Sequence, residues 1–337
     1  MKKKLYWQLP FLLFLIIGTV VIVRQQRSTP YQHDEGQVFG TFYHITYQND
    51  SSLNNEILAE LAKVDSALSM FNKESIISRI NKGENVETNE MFNTVFSLAE
   101  DIADNTNGAF DITVAPLVNA WGFGFKTGNP PSKATIDSLR SVVGYKKVSL
   151  KNNHISKTDP QVMLDCSAIA KGYGCDVVAA LLRRHGIDNY LVEIGGEVVA
   201  KGISEKRLPW KIGVTKPSDD SLAVDKELQT VLNVKNMAMA TSGNYRNFYY
   251  KNGKKYAHTI DPKTGYPVQH NILSATVLAK HCAEADAYAT SFMVMGLDKA
   301  KQVLDKHPEL MAYLIYADHK GNMQVWYSPS MKDKILK

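Results

Sequence analysis

The chain has 337 residues, 44% apolar and 22% charged, a balance ordinary for a folded globular protein and one that excludes wholesale disorder. Its 21 glycines and 12 prolines are too few for a fibrous or linker-dominated chain, and the length suits one large domain or two modest ones. The net charge of +5 sits at the N-terminus: residues 1–28 hold Lys2, Lys3, Lys4, Arg24 and Arg27 and no acid, and removing those five from the 39 basic residues leaves 34, against 34 acidic ones. A neutral domain without a basic stripe excludes nucleic acid as the expected partner.

From Leu5 to Val23 the chain is apolar, most densely between Phe11 and Ile17, with Lys2–Lys4 before it and Arg24 behind it. At about 1.5 Å per residue this length just crosses a hydrocarbon core, so residues 1–27 read as a membrane anchor or export signal. No small-residue cleavage site precedes Arg24 and no cysteine follows to accept a lipid, which favours the uncleaved anchor. Three lysines ahead of the span and two arginines after it predict a cytoplasmic N-terminus in the inner membrane, with the rest of the chain outside the cytoplasm. Residues 28–36 are polar and read as a tether to a domain spanning residues 37–337.

Beta-branched and aromatic residues predict a strand over Val38–Tyr47, followed by a helix over Asn54–Met70 with Ile57, Leu58, Leu61, Val64 and Leu68 on one face. A second helix is expected over Met91–Asn105, and a third from the N-cap Ser132 to Gly144. Lys146–Leu150 and His154–Lys157 read as a hairpin around Asn152-Asn153, and Ala168–His185 as a helix stopped by Gly186. Strands are then predicted at Tyr190–Ile194, Val198–Lys201, Trp210–Val214 and Leu228–Val234. Asn252-Gly253, between the aromatic runs Tyr245–Tyr250 and Lys255–Ile260, is the strongest hairpin signal. Helices at Ala283–Met295 and Leu297–Lys306 precede strands at Met311–Ala317 and Met323–Trp326. Hairpins outnumber strand-helix-strand units, which predicts an α+β fold of mainly antiparallel sheets flanked by helices; no linker after Gln37 separates independent domains, and a single cleft between two lobes stays open.

Cys166, Cys175 and Cys282 are odd in number and irregularly spaced, so they form neither a disulfide framework nor a CxxC pair. At most one disulfide is available, and small buried hydrophobes are the expected state. No GxxxxGK[ST], HExxH or GxSxG signature is present, and Gly122, Gly124 and Gly128 lack the strand context of a dinucleotide loop.

Five polar-and-glycine clusters remain. Asn107–Gly124 places Asp111 and Thr113 between apolar residues, which suits a loop against a planar ligand or a turn whose Asp111 bonds backbone amides. Asp165–Asp176 enters a helix with Lys171 beside two glycines, as an anion site or as an N-cap acid with a solvated lysine. Glu193-Ile-Gly-Gly-Glu197 and Ala240–Arg246 read, taken alone, as turns. His258, at a strand end before the rigid turn Asp261-Pro262, is held as a general base requires, or is structural. Asp286 and Thr290, four apart on a helix, face the same way about 5–6 Å apart at Cβ; they offer oxygen ligands to Mg2+ or Ca2+, or else bond a neighbouring loop.

In this order the clusters resemble the FAD:protein FMN transferase family, also called ApbE, across about residues 37–328. The resemblance implies an ApbE-like (T-fold-like) fold and transfer of FMN from FAD to a threonine or serine hydroxyl of a target protein, with release of AMP. Mg2+ is the implied metal, with Ca2+ or Mn2+ as alternatives, and the targets are exported flavoprotein subunits such as those of the sodium-pumping NADH:quinone reductase or the RNF complex. It assigns Asp286, Thr290 and the Ala168 carbonyl to the metal and His258 to the base. FAD would contact Phe39, Phe71, Ala109, Phe110, Asp111, Asp165, Lys171 and the backbone near Ile260. Phe39 departs from the methionine frequent there in the family, and the lipid-accepting cysteine is absent. Two other functions would use the same pocket: an FAD pyrophosphatase and a non-catalytic FAD-binding protein.

Overall fold

The computed structural model describes residues 10–19, 29–124, 130–217, 227–244, 248–251, 254–269 and 271–336. Strand β1 (Tyr31–Val38) pairs antiparallel with β2 (Thr41–Gln48) through the two-residue turn Phe39-Gly40, with φ of 52° and 71°. Positive φ at both turn residues matches the twist of the flanking strands. This corrects both the tether expected over residues 28–36 and the single strand expected over Val38–Tyr47. Tyr31–Gly36 lies at a sheet edge, where half-exposed polar residues suffice and no apolar alternation marks the strand.

Helices α1 (Asn54–Leu68), α2 (Ile76–Asn81), α3 (Glu90–Asn105), α4 (Ala115–Ala120) and α5 (Lys133–Arg140) follow. Ser75, Asn89 and Ser132 cap α2, α3 and α5, each side chain accepting the amide three residues on, which satisfies a donor the helix cannot. Helix α5 stops at Arg140, short of the expected Gly144. Strands β3 (Val148–Lys151) and β4 (His154–Lys157) form the expected hairpin, and Asn152-Asn153 take positive φ at its turn. Helix α6 (Ala170–Arg184) begins two residues later than predicted.

The chain continues through β5 (Tyr190–Ile194), β6 (Glu197–Lys201), β7 (Trp210–Thr215), β8 (Leu228–Val234), β9 (Met237–Gly243), β10 (Phe248–Lys251), β11 (Lys254–Ala257) and β12 (Ile272–Ala279). Helices α7 (Cys282–Met295) and α8 (Leu297–Lys306) and strands β13 (Met311–Ala317), β14 (Met323–Tyr327) and β15 (Ile335–Leu336) complete it. Strands β10 and β11 pair as the aromatic runs predict, while the Asn252-Gly253 turn lies outside the described residues.

Eight strands make one antiparallel sheet in the order β1-β2-β5-β6-β9-β12-β13-β14. Side chains alternate across it. Val198, Ala200, Met239, Leu278, Tyr313 and Ile315 pack against Trp210, Val214, Leu232 and Val234 of the small sheet β15-β8-β7. On the other face Ala275, Val277, Ala312 and Leu314 join Phe92 and Phe96 of α3 and Phe292 of α7. Toward the β1 edge, Tyr43, Ile45, Val192 and Ile194 pack with Ile57 and Leu61 of α1 and Val178 and Leu182 of α6. The α+β class with mainly antiparallel sheet flanked by helices is the one expected.

All three cysteines are buried and free. Residues 10–19 are helical, with Phe11–Ile17 exposed, and no helix among the described residues is long and apolar enough to cross a membrane. The remainder of the anchor expected over residues 1–27 lies outside them.

Candidate active site

Helix α7 is the backbone of the site, and α6 holds it in place. The Asp176 carboxylate on α6 accepts the amides of Cys282 and Ala283, both at 2.9 Å, and so caps the start of α7. A carboxylate at a helix N-terminus satisfies orphan donors and opposes the positive end of the helix dipole. Gly172 brings the two backbones together, since a Cβ there would lie 2.3 Å from the Cys282 carbonyl oxygen. Its amide donates to Asp286 Oδ2 at 3.1 Å.

Beside this junction is a cavity of about 440 Å³. Its walls carry Asp286 and Thr290 from α7, Lys171 from α6, Glu197 from β6, Thr241 and Ser242 from β9, and His258 and Ile260 after β11. Phe71, the Ala109-Phe110-Asp111 loop, Asp165 and Ala168 complete the predicted set, so eleven of the twelve expected site residues meet here. Phe39 is the one expected residue that does not line the cavity; its ring lies against Gly174 of α6.

Buried charge dominates the α6–α7 side. Glu197 and Asp286 are 4% and 3% exposed. Lys171 Nζ stands 2.9 Å from Glu197 Oε1 and 3.9 Å from Asp286 Oδ2. Burial pushes both carboxyl groups up and the Lys171 ammonium pulls them back, with Glu197 settling at about 7. Burial opposes the charge of Lys171, but Asp286 and Glu197 outweigh it and hold the ammonium above its ordinary range. Lys171 is therefore paired with a buried carboxylate, which sets aside the solvated lysine that was one of its two readings from sequence. Thr290 Oγ1 is 3.0 Å from Ser242 Oγ, a bond to a neighbouring strand.

The donor chemistry suits a hard cation. Among the described residues no three His, Cys, Asp or Glu side chains converge as a metal cluster. The cavity lining instead includes the Asp286 carboxylate, the Thr290 hydroxyl and Ala168, oxygen donors of the kind Mg2+ takes alongside water and phosphate.

The acidic loop residues serve geometry. Asp111 Oδ1 accepts the Thr113 amide at 2.8 Å and hydroxyl at 2.6 Å, and Oδ2 accepts the Tyr145 amide at 2.9 Å. Its carboxylate thus shapes the loop that presents Ala109 and Phe110; burial raises its pKa against those three bonds. Asp165 accepts the Ser167 amide at 2.7 Å and does not cap α6, whose N-cap Ile169 makes no side-chain bond.

His258 follows directly on β11, edge-on to Phe123 with ring centroids 6.4 Å apart. The loop behind it is braced at each level. Val268 N donates to Thr259 O and Asp261 N to Tyr266 O, both at 2.9 Å, and Lys263 N donates to Asp261 Oδ1 at 2.9 Å. The Trp121 indole donates to Gly265 O at 2.7 Å, and Thr259 Oγ1 to Asn244 Oδ1 at 2.9 Å. The rigid turn expected after His258 is present.

Sequence reasoning missed Glu197, Thr241 and Ser242 as site residues. Glu197 directly follows a Gly-Gly turn and precedes the apolar Val198, Val199 and Ala200, which was its only signal. Thr241 and Ser242 belong to β9, not to the turn expected over Ala240–Arg246; Tyr245 and Arg246 lie outside the described residues.

With the geometry in place, comparison with known proteins is specific. The model of the ApbE family matches residues 39–315. An FAD:protein FMN transferase of Haemophilus influenzae is 40% identical over 313 residues, 88% of this chain and 89% of its own. The flavin transferase ApbE structure from Vibrio cholerae is 34% identical, covers 90% of this chain and 99% of its own, and superposes with a TM-score of 0.82. The apo flavinyl transferase ApbE of Pseudomonas stutzeri, 27% identical over 92% of this chain and 98% of its own, gives 0.81.

Proposed function

We propose, for a chain that belongs to the ApbE family and is an FAD:protein FMN transferase, that the α6–α7 cavity binds FAD and that His258 is the catalytic base. Asp286, Thr290 and the Ala168 carbonyl would hold a divalent cation, Mg2+ in the first instance, with Ca2+ or Mn2+ as alternatives. Bound there, the cation supplies positive charge to the diphosphate oxygens. Phe71 and Phe110 offer apolar faces to the flavin ring.

His258 takes the proton of the acceptor threonine or serine hydroxyl as its oxygen bonds to the FMN phosphorus. The P–O–P link to the adenylate breaks, and AMP leaves with the electron pair. Lys171 adds positive charge to the same cavity, and the braced loop behind His258 keeps the imidazole oriented. A positioned general base contributes about 10²–10⁴-fold, and the remainder is positioning and electrostatics. The observation that carries this reading is the convergence of His258, Asp286 and Thr290 with Phe71 and Phe110 on one cavity.

The acceptors we propose are exported flavoprotein subunits, such as those of the sodium-pumping NADH:quinone reductase or the RNF complex. The exposed apolar helix at residues 10–19 supports attachment to the inner membrane, with the catalytic domain outside the cytoplasm. Incubating the chain with FAD, Mg2+ and such a subunit tests the assignment. Covalent FMN that appears on the subunit and is lost in His258→Ala and on chelation supports it; transfer unaffected by both refutes the base and the metal.

A further inference from the structure

We propose that Glu197 is a positioning residue that holds Lys171 away from Asp286 and so keeps the Asp286 carboxylate open to a divalent cation. The inference rests on the reading of Asp286 as a cation ligand. Lys171 stands within reach of two buried carboxylates but bonds only one, at 2.9 Å from Glu197 Oε1; its 3.9 Å from Asp286 Oδ2 is beyond a hydrogen bond. An ammonium left with a single buried carboxylate closes to about 2.8 Å and competes with a metal for that carboxylate.

Glu197 is anchored so that Lys171 comes to it. It opens β6 immediately after the Gly195-Gly196 turn, where φ is 63° and 104°. That turn is tied by the Gly196 amide to Glu193 Oε1 at 2.6 Å, and the Cys175 thiol donates to the Glu197 carbonyl at 3.3 Å. Asp286 is fixed by the Gly172 amide, which donates to the same Oδ2 that lies nearest Lys171. Glu197 Oε2 is buried with no hydrogen-bond partner among the described residues, a cost that an ion pair serving stability alone has no reason to carry.

Calorimetric titration of the full chain with Mg2+ alone, without FAD, tests this. Asp286→Asn is expected to abolish binding. Glu197→Gln is expected to weaken it by about 10–100-fold, the usual effect of losing a group that orients a metal ligand. Adding Lys171→Met to Glu197→Gln is expected to restore affinity, which a merely misfolded variant would not do. In crystals of Glu197→Gln, Lys171 Nζ is expected within about 3 Å of Asp286. Wild-type affinity in Glu197→Gln, no recovery in the double variant, or an unmoved Nζ overturns the inference. If Asp286→Asn binds Mg2+ like the wild type, the cation-ligand reading itself falls, and this inference with it.

Discussion

Replacing Gly172 by alanine isolates the contact on which the site geometry depends. A Cβ at Gly172 would meet Cys282 O at 2.3 Å, Cys282 C at 2.6 Å and Ala283 N at 2.8 Å, all backbone atoms that cannot rotate away. Restoring an ordinary contact of 3.4 Å requires α6 and α7 to separate by about 1 Å. Helix propensity alone favours alanine by about 1 kcal/mol, whereas overpacking of this kind costs about 1–3 kcal/mol, so the net change is a loss of stability. The same displacement carries Asp286 and Thr290 away from Lys171 and His258, and a misplacement of about 1 Å costs on the order of 10²-fold in rate. Thermal unfolding and kcat/KM for FMN transfer read the two effects. Gly174→Ala is the control on the same helix, because its Cβ would meet the movable Phe39 ring at 2.7 Å. A Gly172→Ala variant that melts higher than its parent and transfers FMN within about threefold of it would refute the backbone contact as the element that sets the site.

His258→Ala is expected to lower transfer by about 10²–10⁴-fold with FAD affinity unchanged, read by rapid-quench kinetics and flavin fluorescence; a parallel loss of FAD binding would place His258 in recognition instead. Asp176→Ala removes two 2.9 Å bonds from the first turn of α7 and is expected to cost about 1–2 kcal/mol in urea unfolding, with weakened Mg2+ binding. Unaltered unfolding would show that α7 needs no such cap. Trp121→Phe leaves Gly265 O without its 2.7 Å donor, and the loop behind His258 is expected to loosen, lowering kcat more than it raises KM for FAD and costing about 1–3 kcal/mol of stability. The reverse pattern, a KM effect alone, would separate that loop from the chemical step.

Local patterns made much of the site legible. Asp286 and Thr290 stood out because a helix brings residues four apart onto one face, and His258 because a strand end shortly before Asp-Pro holds a side chain in place at a cleft. Strand β12 was invisible for the opposite reason: almost all of its side chains are buried, on both faces of the sheet, so Ile272–Ala279 shows no alternation to read. Strand β1 hid because an edge strand tolerates polar residues throughout. Glu197 and Phe39 required tertiary information. A Gly-Gly turn reads the same whether or not the next carboxylate is buried against a lysine from another element, and no local pattern tells that the Phe39 ring meets Gly174 instead of the cavity.

Intact-protein and tandem mass spectrometry of an acceptor flavoprotein, after incubation with this chain, FAD and Mg2+, addresses the central claim most directly. FMN joined to one threonine or serine, with one AMP released per adduct and neither product formed by His258→Ala, is the outcome the site geometry predicts. Free FMN and AMP without an adduct would mean that water is the acceptor, and intact FAD left in the cavity would mean that it only binds; either result contradicts the account.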